Sequence, residues 1–240
     1  MRKVSASELL AIWENGTGQS LINRHLALLA TACSIPFNEA AQFSIGERDI
    51  RLLLLREWHF GYQLINVATC PKCGEKVEWE MTTRQLHLQE PRAEPNLVFS
   101  LESQGYSLNY RLPNSADMML LPQFSHSHDL IRHCITSING QQDKLDLSEL
   151  TDQVFQELDQ QMAKSDPQAN ITFDLTCPAC QHQWASFFDI MNYFWVEIDR
   201  WAKLTFHEIY LLARSFSWTE KEILSLSPLR RQTYLNMLRG

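Results

Sequence analysis

Two short cysteine pairs constrain this chain more than any other feature: Cys70-Pro71-Lys72-Cys73 and Cys177-Pro178-Ala179-Cys180. Together they supply four thiolates, the ligand set of a closed, tetrahedral structural zinc site. The two-residue spacer lets a tight turn aim both sulfurs of a pair at one point. The proline after each first cysteine presets φ for that turn. The surroundings match as well, Ala68-Thr69-Cys-Pro-Lys-Cys-Gly74 against Leu175-Thr176-Cys-Pro-Ala-Cys-Gln181. Strand-like segments flank each pair, so each reads as half of a zinc ribbon, and one ion would tie together distant parts of the chain.

Other chemistries fit an isolated C-x-x-C pair, namely a thioredoxin-like redox couple or an iron–sulfur ligand pair. Two separate sites, each completed by histidine, are a further alternative, since His182 adjoins the second pair. The duplication favours one shared zinc ion. Gln181 stands where glycine would most easily take positive φ. Cys33 and Cys134 lack partner spacing and are expected to pack as small buried apolar residues.

The formal net charge of −7 argues against an electrostatic grip on nucleic acid. Glu8 and Glu14 interrupt the first apolar stretch, so no secretory signal is expected there. Runs such as Leu26–Cys33 and Leu52–Leu55 are too short to cross a bilayer. Six cysteines in 240 residues suit a metal site plus buried thiols in a reducing cytoplasm.

The predicted fold class is α+β: a four-cysteine zinc ribbon with a long α/β insertion between its knuckles, flanked by N- and C-terminal helices. The expected divisions are a helical region over 1–69, the ribbon over 70–186 with an inserted hairpin and helices at about 97–163, and a helical region over 187–240. Ser5 or Ser7 can cap a helix through Trp13, and a second runs from Leu21 to Cys33. A third is expected from Ile45 through Arg56, with Ile50, Leu53 and Leu54 on one face and Glu47, Arg48, Asp49, Arg51, Arg56 and Glu57 forming a solvated surface. Tyr62–Thr69 and Lys76–Thr82 read as strands, and 90–95 as a polar linker. Ser103-Gln104-Gly105 marks a hairpin. Helices are expected at Ser115–Leu121, Leu130–Ile138 and Leu147–Ala163, with His126 and His128 in a solvated loop. Ile171–Thr176 is a strand, and Asp189–Phe216 a long helix rich in aromatics. Thr219-Glu220-Lys221-Glu222 is a capping box, and Ser227-Pro228 opens a last helix.

No phosphate-binding glycine loop, His-Glu-x-x-His pair or Gly-x-Ser-x-Gly elbow is present. A four-thiolate zinc site also leaves no position open for water or substrate. A non-enzymatic role is therefore expected.

Several phrases together resemble a known family: Ile45-Gly46-Glu47-Arg48-Asp49 leading to Leu54-Leu55-Arg56-Glu57, the Cys-Pro-Lys-Cys-Gly knuckle, and Tyr110-Arg111-Leu112-Pro113-Asn114-Ser115-Ala116-Asp117. Asp166-Pro167-Gln168-Ala169, Phe194-Trp195 with Glu197-Ile198, and the closing run from Trp218 to Leu235 complete the set. The chain resembles the T-even-phage-type baseplate hub assembly chaperones of contractile tails and phage-tail-like injection systems. The resemblance spans nearly the whole chain, with its end the most specific part. It implies a zinc-stabilised assembly helper whose partners are hub or spike subunits, working in the cytoplasm of the producing bacterium, with or without a place in the finished particle. Cys70, Cys73, Cys177 and Cys180 are the expected zinc ligands. Trp218, Leu229, Arg230, Arg231 and Tyr234 are the expected partner surface, with burial in the chain's own core as the competing reading. The alternative function is a zinc-ribbon adaptor for nucleic acid or the transcription machinery, which the net charge disfavours.

Overall fold

The computed structural model describes residues 1–92, 97–126, 128–139 and 150–238. Capping sets many of its boundaries. Ser5 opens α1 (Ala6–Asn15) with a reciprocal capping box to Glu8, and Ser20 caps α2 (Leu21–Cys33). A short turn of helix, α3 (Phe37–Ala40), precedes α4 (Ile45–Phe60), which Ser44 caps and Gly61 ends at φ 84°. The strands β1 (Gln63–Thr69) and β2 (Lys76–Thr82) then pair antiparallel as a two-stranded sheet.

The inserted segment begins with β3 (Val98–Ser103) and β4 (Tyr106–Arg111). Gln104 and Gly105 both take positive φ at their turn, as a type I′ hairpin requires. Next come α5 (Ser115–Leu120) and α6 (Asp129–Cys134). The helix expected at Leu130–Ile138 stops at Cys134, where the chain turns into β5 (Ile135–Asn139) and completes a sheet of order β3-β4-β5. Ile135, Thr136 and Ile138 are β-branched, and pairing with β4 outweighs helix continuation there. The helix expected from Leu147 is α7 (Asp152–Ser165); residues 147–149 lie outside the described residues, as do 93–95 of the expected linker. Val154, Phe155, Leu158 and Met162 of α7 pack with Leu108, Tyr110, Leu112 and Cys134. His128, expected in solvent, stacks on Phe155 at 4.6 Å, while His126 is exposed. A second two-stranded sheet, β6 (Thr172–Thr176) with β7 (Gln183–Phe187), leads to the long α8 (Ile190–Phe216), then α9 (Glu220–Ser225) and α10 (Pro228–Met237).

The chain forms two compact units, Ile35–Ile190 and the N-terminal Met1–Ser34 with Met191–Gly240. In the latter, Leu10, Ala202, Ile209, Leu212, Ile223 and Leu235 are buried, with Trp13, Trp201, Phe216, Trp218 and Tyr234 packed against them.

In the former, α4 departs from expectation. Glu47, Arg48, Asp49, Arg51 and Arg56 are all buried rather than solvated. They escape the cost of buried charge by pairing with one another and with the backbone. Glu47 takes Arg51 as its partner and accepts from the Arg92 N–H at 3.0 Å, while Arg51 Nη2 donates to the Arg92 carbonyl at 2.9 Å. Arg48 Nε donates to Asp49 at 2.7 Å, and its Nη1 reaches the Ser115 hydroxyl at 3.3 Å. Arg56 Nη1 donates to the Gly61 carbonyl at 2.7 Å, fixing the turn into β1. Gly46 is required for a steric reason. Its N–H donates to Asp166 Oδ2 at 2.9 Å, and a Cβ at residue 46 would stand 2.1 Å from the same carboxylate. Burial pushes the Asp166 carboxyl above its usual range, against the bond from Gly46.

Three of the phrases that carried the family resemblance, those beginning at Ile45, Tyr110 and Asp166, thus meet in space. The Ile45 N–H donates to the Pro113 carbonyl at 3.1 Å, Ser44 bridges Asn114, and Gln168 Oε1 accepts from the Leu88 N–H at 2.9 Å. Asp117 completes the Asn114 capping box and accepts from Arg111 Nη2 at 2.8 Å. These motifs lock the inserted segment onto the start of α4.

Candidate metal centre

Each cysteine pair occupies the tip of a two-stranded hairpin, and both tips are built on one hydrogen-bond frame. In the first, the Cys70 N–H donates to the Glu75 carbonyl at 2.8 Å and the Gly74 N–H to the Cys70 carbonyl at 2.9 Å. In the second, the Cys177 N–H donates to the His182 carbonyl at 2.9 Å and the Gln181 N–H to the Cys177 carbonyl at 2.9 Å. The frame needs a left-handed residue after the second cysteine. Gly74 supplies it at φ 78° and Gln181 at φ 58°. Gln181 adopts this without glycine's freedom, its side-chain Nε2 donating to the Pro178 carbonyl at 3.3 Å. Between the hairpins, Trp79 of β2 meets Phe173 of β6 edge to face, with ring centroids 5.5 Å apart.

The four sulfurs lie within 4.8 Å of one another. Cys70 Sγ is 3.7 Å from Cys180 Sγ, and Cys73 Sγ is 3.5 Å from Cys177 Sγ. Four thiolates about 2.3 Å from one zinc ion would stand about 3.8 Å apart. A disulfide would need about 2.05 Å. The donor set therefore fits a tetrahedral, thiophilic divalent ion. The sulfurs also perturb one another's protonation. Burial pushes the Cys70 thiol up, but the N–H groups of Cys73 and Lys72 and the nearby thiols outweigh it and bring it down to about 7. At Cys73 the backbone N–H of Glu75 favours the thiolate, yet the adjoining sulfurs of Cys180 and Cys177 together with burial push it up to about 12. Four thiolates cannot crowd together unless a cation offsets their charge.

Cys70 and Cys177 are buried, Cys180 is half-buried and Cys73 exposed. His182 does not join the sulfurs; its ring lies nearly parallel to Trp184, with centroids 6.2 Å apart. Cys33 is half-buried. Cys134 is fully buried, and burial pushes its thiol up to about 12.

The residues expected to meet a partner divide. Leu229 is 78% exposed and Arg230 is also exposed. Arg231 is buried, with Nε 3.6 Å from Glu208 Oε2. Trp218 stacks on Phe216 at 4.7 Å and meets Tyr234 edge to face at 4.9 Å, so both aromatics belong to the local core. Met237 and Leu238, also exposed, were not anticipated. Met237 lies eight residues beyond Leu229 on the same helix, a spacing that could have flagged it.

The sequence profile of the family described as T4 bacteriophage base plate protein matches residues 4–195 of this chain. The chain belongs to that family, which gives it a role related to the phage baseplate. The match covers both cysteine pairs and the motifs gathered around α4. It stops at Trp195, so the closing run from Trp218 to Leu235 lies beyond it. No curated protein and no solved structure matches the chain. Among the described residues, no helix is long and apolar enough to cross a membrane.

Proposed function

We propose that the chain is a non-enzymatic, zinc-stabilised assembly factor or component for the baseplate hub of a contractile tail or a tail-derived injection system. Membership of the baseplate family, joined to a closed set of four thiolates, is the observation that carries this reading. Cys70, Cys73, Cys177 and Cys180 would hold one zinc ion and close the two hairpins into a zinc ribbon. The ion's chemistry there is charge neutralisation and cross-linking, since four protein ligands leave it no open position. Its binding would contribute on the order of 10 kcal/mol of apparent free energy. That ion would anchor both ends of the segment that carries the insertion at 97–163.

The partner surface is redrawn around the exposed residues of α10. Leu229 and Arg230, with Met237, offer an apolar patch beside a cation to a hub or spike subunit. On the other side of that helix Tyr234 packs on Trp218 and Arg231 faces Glu208. The variant L229D/R230E should lose partner capture while keeping its fold, whereas R231E should lose the fold, because it buries an acid beside Glu208.

An affinity pull-down from cells assembling contractile particles tests the reading, with mass spectrometry of both the eluate and the mature particles. Hub or spike subunits in the eluate, with this chain absent from particles, mark a transient assembly factor. Its presence in particles marks a component. Recovery with nucleic acid and no tail protein overturns the proposal in favour of the adaptor reading.

A further inference from the structure

The four cysteines differ in exposure, and two short sulfur–sulfur contacts run between the hairpins. Cys73 is exposed, while Cys177, whose sulfur stands 3.5 Å from that of Cys73, is fully buried. Cys70 and Cys180 form the other cross-hairpin contact, at 3.7 Å. From this we infer that Cys73 is a peroxide-sensitive modification site and that Cys177 resolves it, giving a disulfide across the hairpins. The inference rests on the zinc reading, because the metal is what holds all four sulfurs as thiolates.

The chemistry balances without any group beyond a hydroperoxide. The Cys73 thiolate attacks a peroxide oxygen; an S–O bond forms, the O–O bond breaks and hydroxide leaves, so that Cys73 becomes a sulfenic acid. The Cys177 thiolate then attacks that sulfur; an S–S bond forms, the S–O bond breaks and a second hydroxide leaves. Two sulfurs have lost two electrons in all, and the peroxide has gained them. Access selects the first step, since an oxidant in solution reaches the exposed cysteine before the buried ones. The 3.5 Å contact across the hairpins serves the second.

Only Cys70 and Cys180 would then be left for the metal, and two thiolates do not close a tetrahedral zinc site. Zinc is released, and a second peroxide can join that pair by the same two steps. The outcome differs from that of an ordinary C-x-x-C oxidation. Disulfides within each knuckle would free the hairpins from each other. Disulfides between them join residues 104 and 110 positions apart and keep the hairpins clamped once the metal has gone. The site would exchange a metal clamp for a covalent one on passing from a reducing to an oxidising environment.

The test uses the full chain, first assayed for bound zinc by elemental analysis and then titrated with hydrogen peroxide. A chromogenic chelator follows zinc release, and non-reducing peptide mapping by mass spectrometry locates the bonds. The expected result is one zinc released per protein, with Cys73–Cys177 appearing first and Cys70–Cys180 second. Brief iodoacetamide labelling of the zinc-loaded protein should modify Cys73 at least tenfold faster than Cys70 or Cys177. Bonds within a knuckle, or zinc release with no disulfide, overturn the inference and leave the zinc reading standing. A protein purified without zinc, and unable to take it up when reduced, removes the zinc reading itself.

Discussion

The two compact units are stabilised by different means. Residues 1–34 with 191–240 are held by an apolar and aromatic core, Leu10, Leu212 and Leu235 packed beside Trp13, Phe216 and Trp218. Residues 35–190 contain an apolar cluster too, but their distinguishing features are polar: a buried set of ion pairs along α4 and four crowded sulfurs. An apolar core degrades by degrees, because each side chain contributes through its area and packing. A buried polar network fails abruptly, since loss of one partner strands another without solvent or a bond. The same chain should therefore respond very differently to a single-atom change in its two units.

Metal removal should give the largest difference. On the zinc reading, a high-affinity chelator withdraws on the order of 10 kcal/mol from the hairpin region. Hydrogen exchange should show the amides of Cys70, Gly74, Cys177 and Gln181 losing protection, while those of α8 beyond Trp201 keep theirs. Equal loss in both units would break the comparison. The core mutant Leu212→Ala should cost about 2–5 kcal/mol by cavity formation, read as a lower denaturant midpoint, with zinc content unchanged. Gly46→Ala adds one methyl group against the Asp166 carboxylate and should cost about 1–3 kcal/mol. That is a large effect for so small a change, and Asp166→Ala in the same background should recover part of it.

Gln181→Gly isolates the one difference between the knuckle frames. It relieves left-handed strain but removes the bond to Pro178, for a net gain of about 0.5–1 kcal/mol, measurable as a shift in the chelator concentration that releases half the metal. The smallest effect is electrostatic. The Arg2 guanidinium, then the N–H and hydroxyl of Ser5, hold the Glu8 carboxyl down from 4.5 to about 2. This stabilisation is complete above pH 4.5 and is lost as the pH falls toward 2. Because the pair is exposed, solvent screening keeps its contribution small, and Glu8→Gln should remove the pH dependence of α1 protection in that window.

Much of this architecture was readable from local pattern. Cysteine spacing announced both hairpin tips, capping residues marked the starts of α1, α9 and α10, and Ser103-Gln104-Gly105 marked the β3–β4 turn. These signals act within a few residues, so no knowledge of the fold was needed. The helix predicted through Ile138 failed at Ile135 because pairing with β4 is a non-local reward. The partner surface was half legible. The Ser227-Pro228 start put Leu229, Arg231 and Tyr234 on one last helix, but which of them faces the core depends on Glu208 and Phe216, outside that helix.

By itself the sequence determined the ligand chemistry, the hairpins that present it, and the family phrases that point to a baseplate role, because residue type and short spacing suffice for each. Only the tertiary structure decided that the four sulfurs share one site and that two short sulfur contacts cross between the hairpins. It alone turned the charged face of α4 into a buried network. Solvation predicts where a lone charge should lie, but a charge whose partners arrive from residues 92 and 115 can be buried, and no local pattern records their arrival.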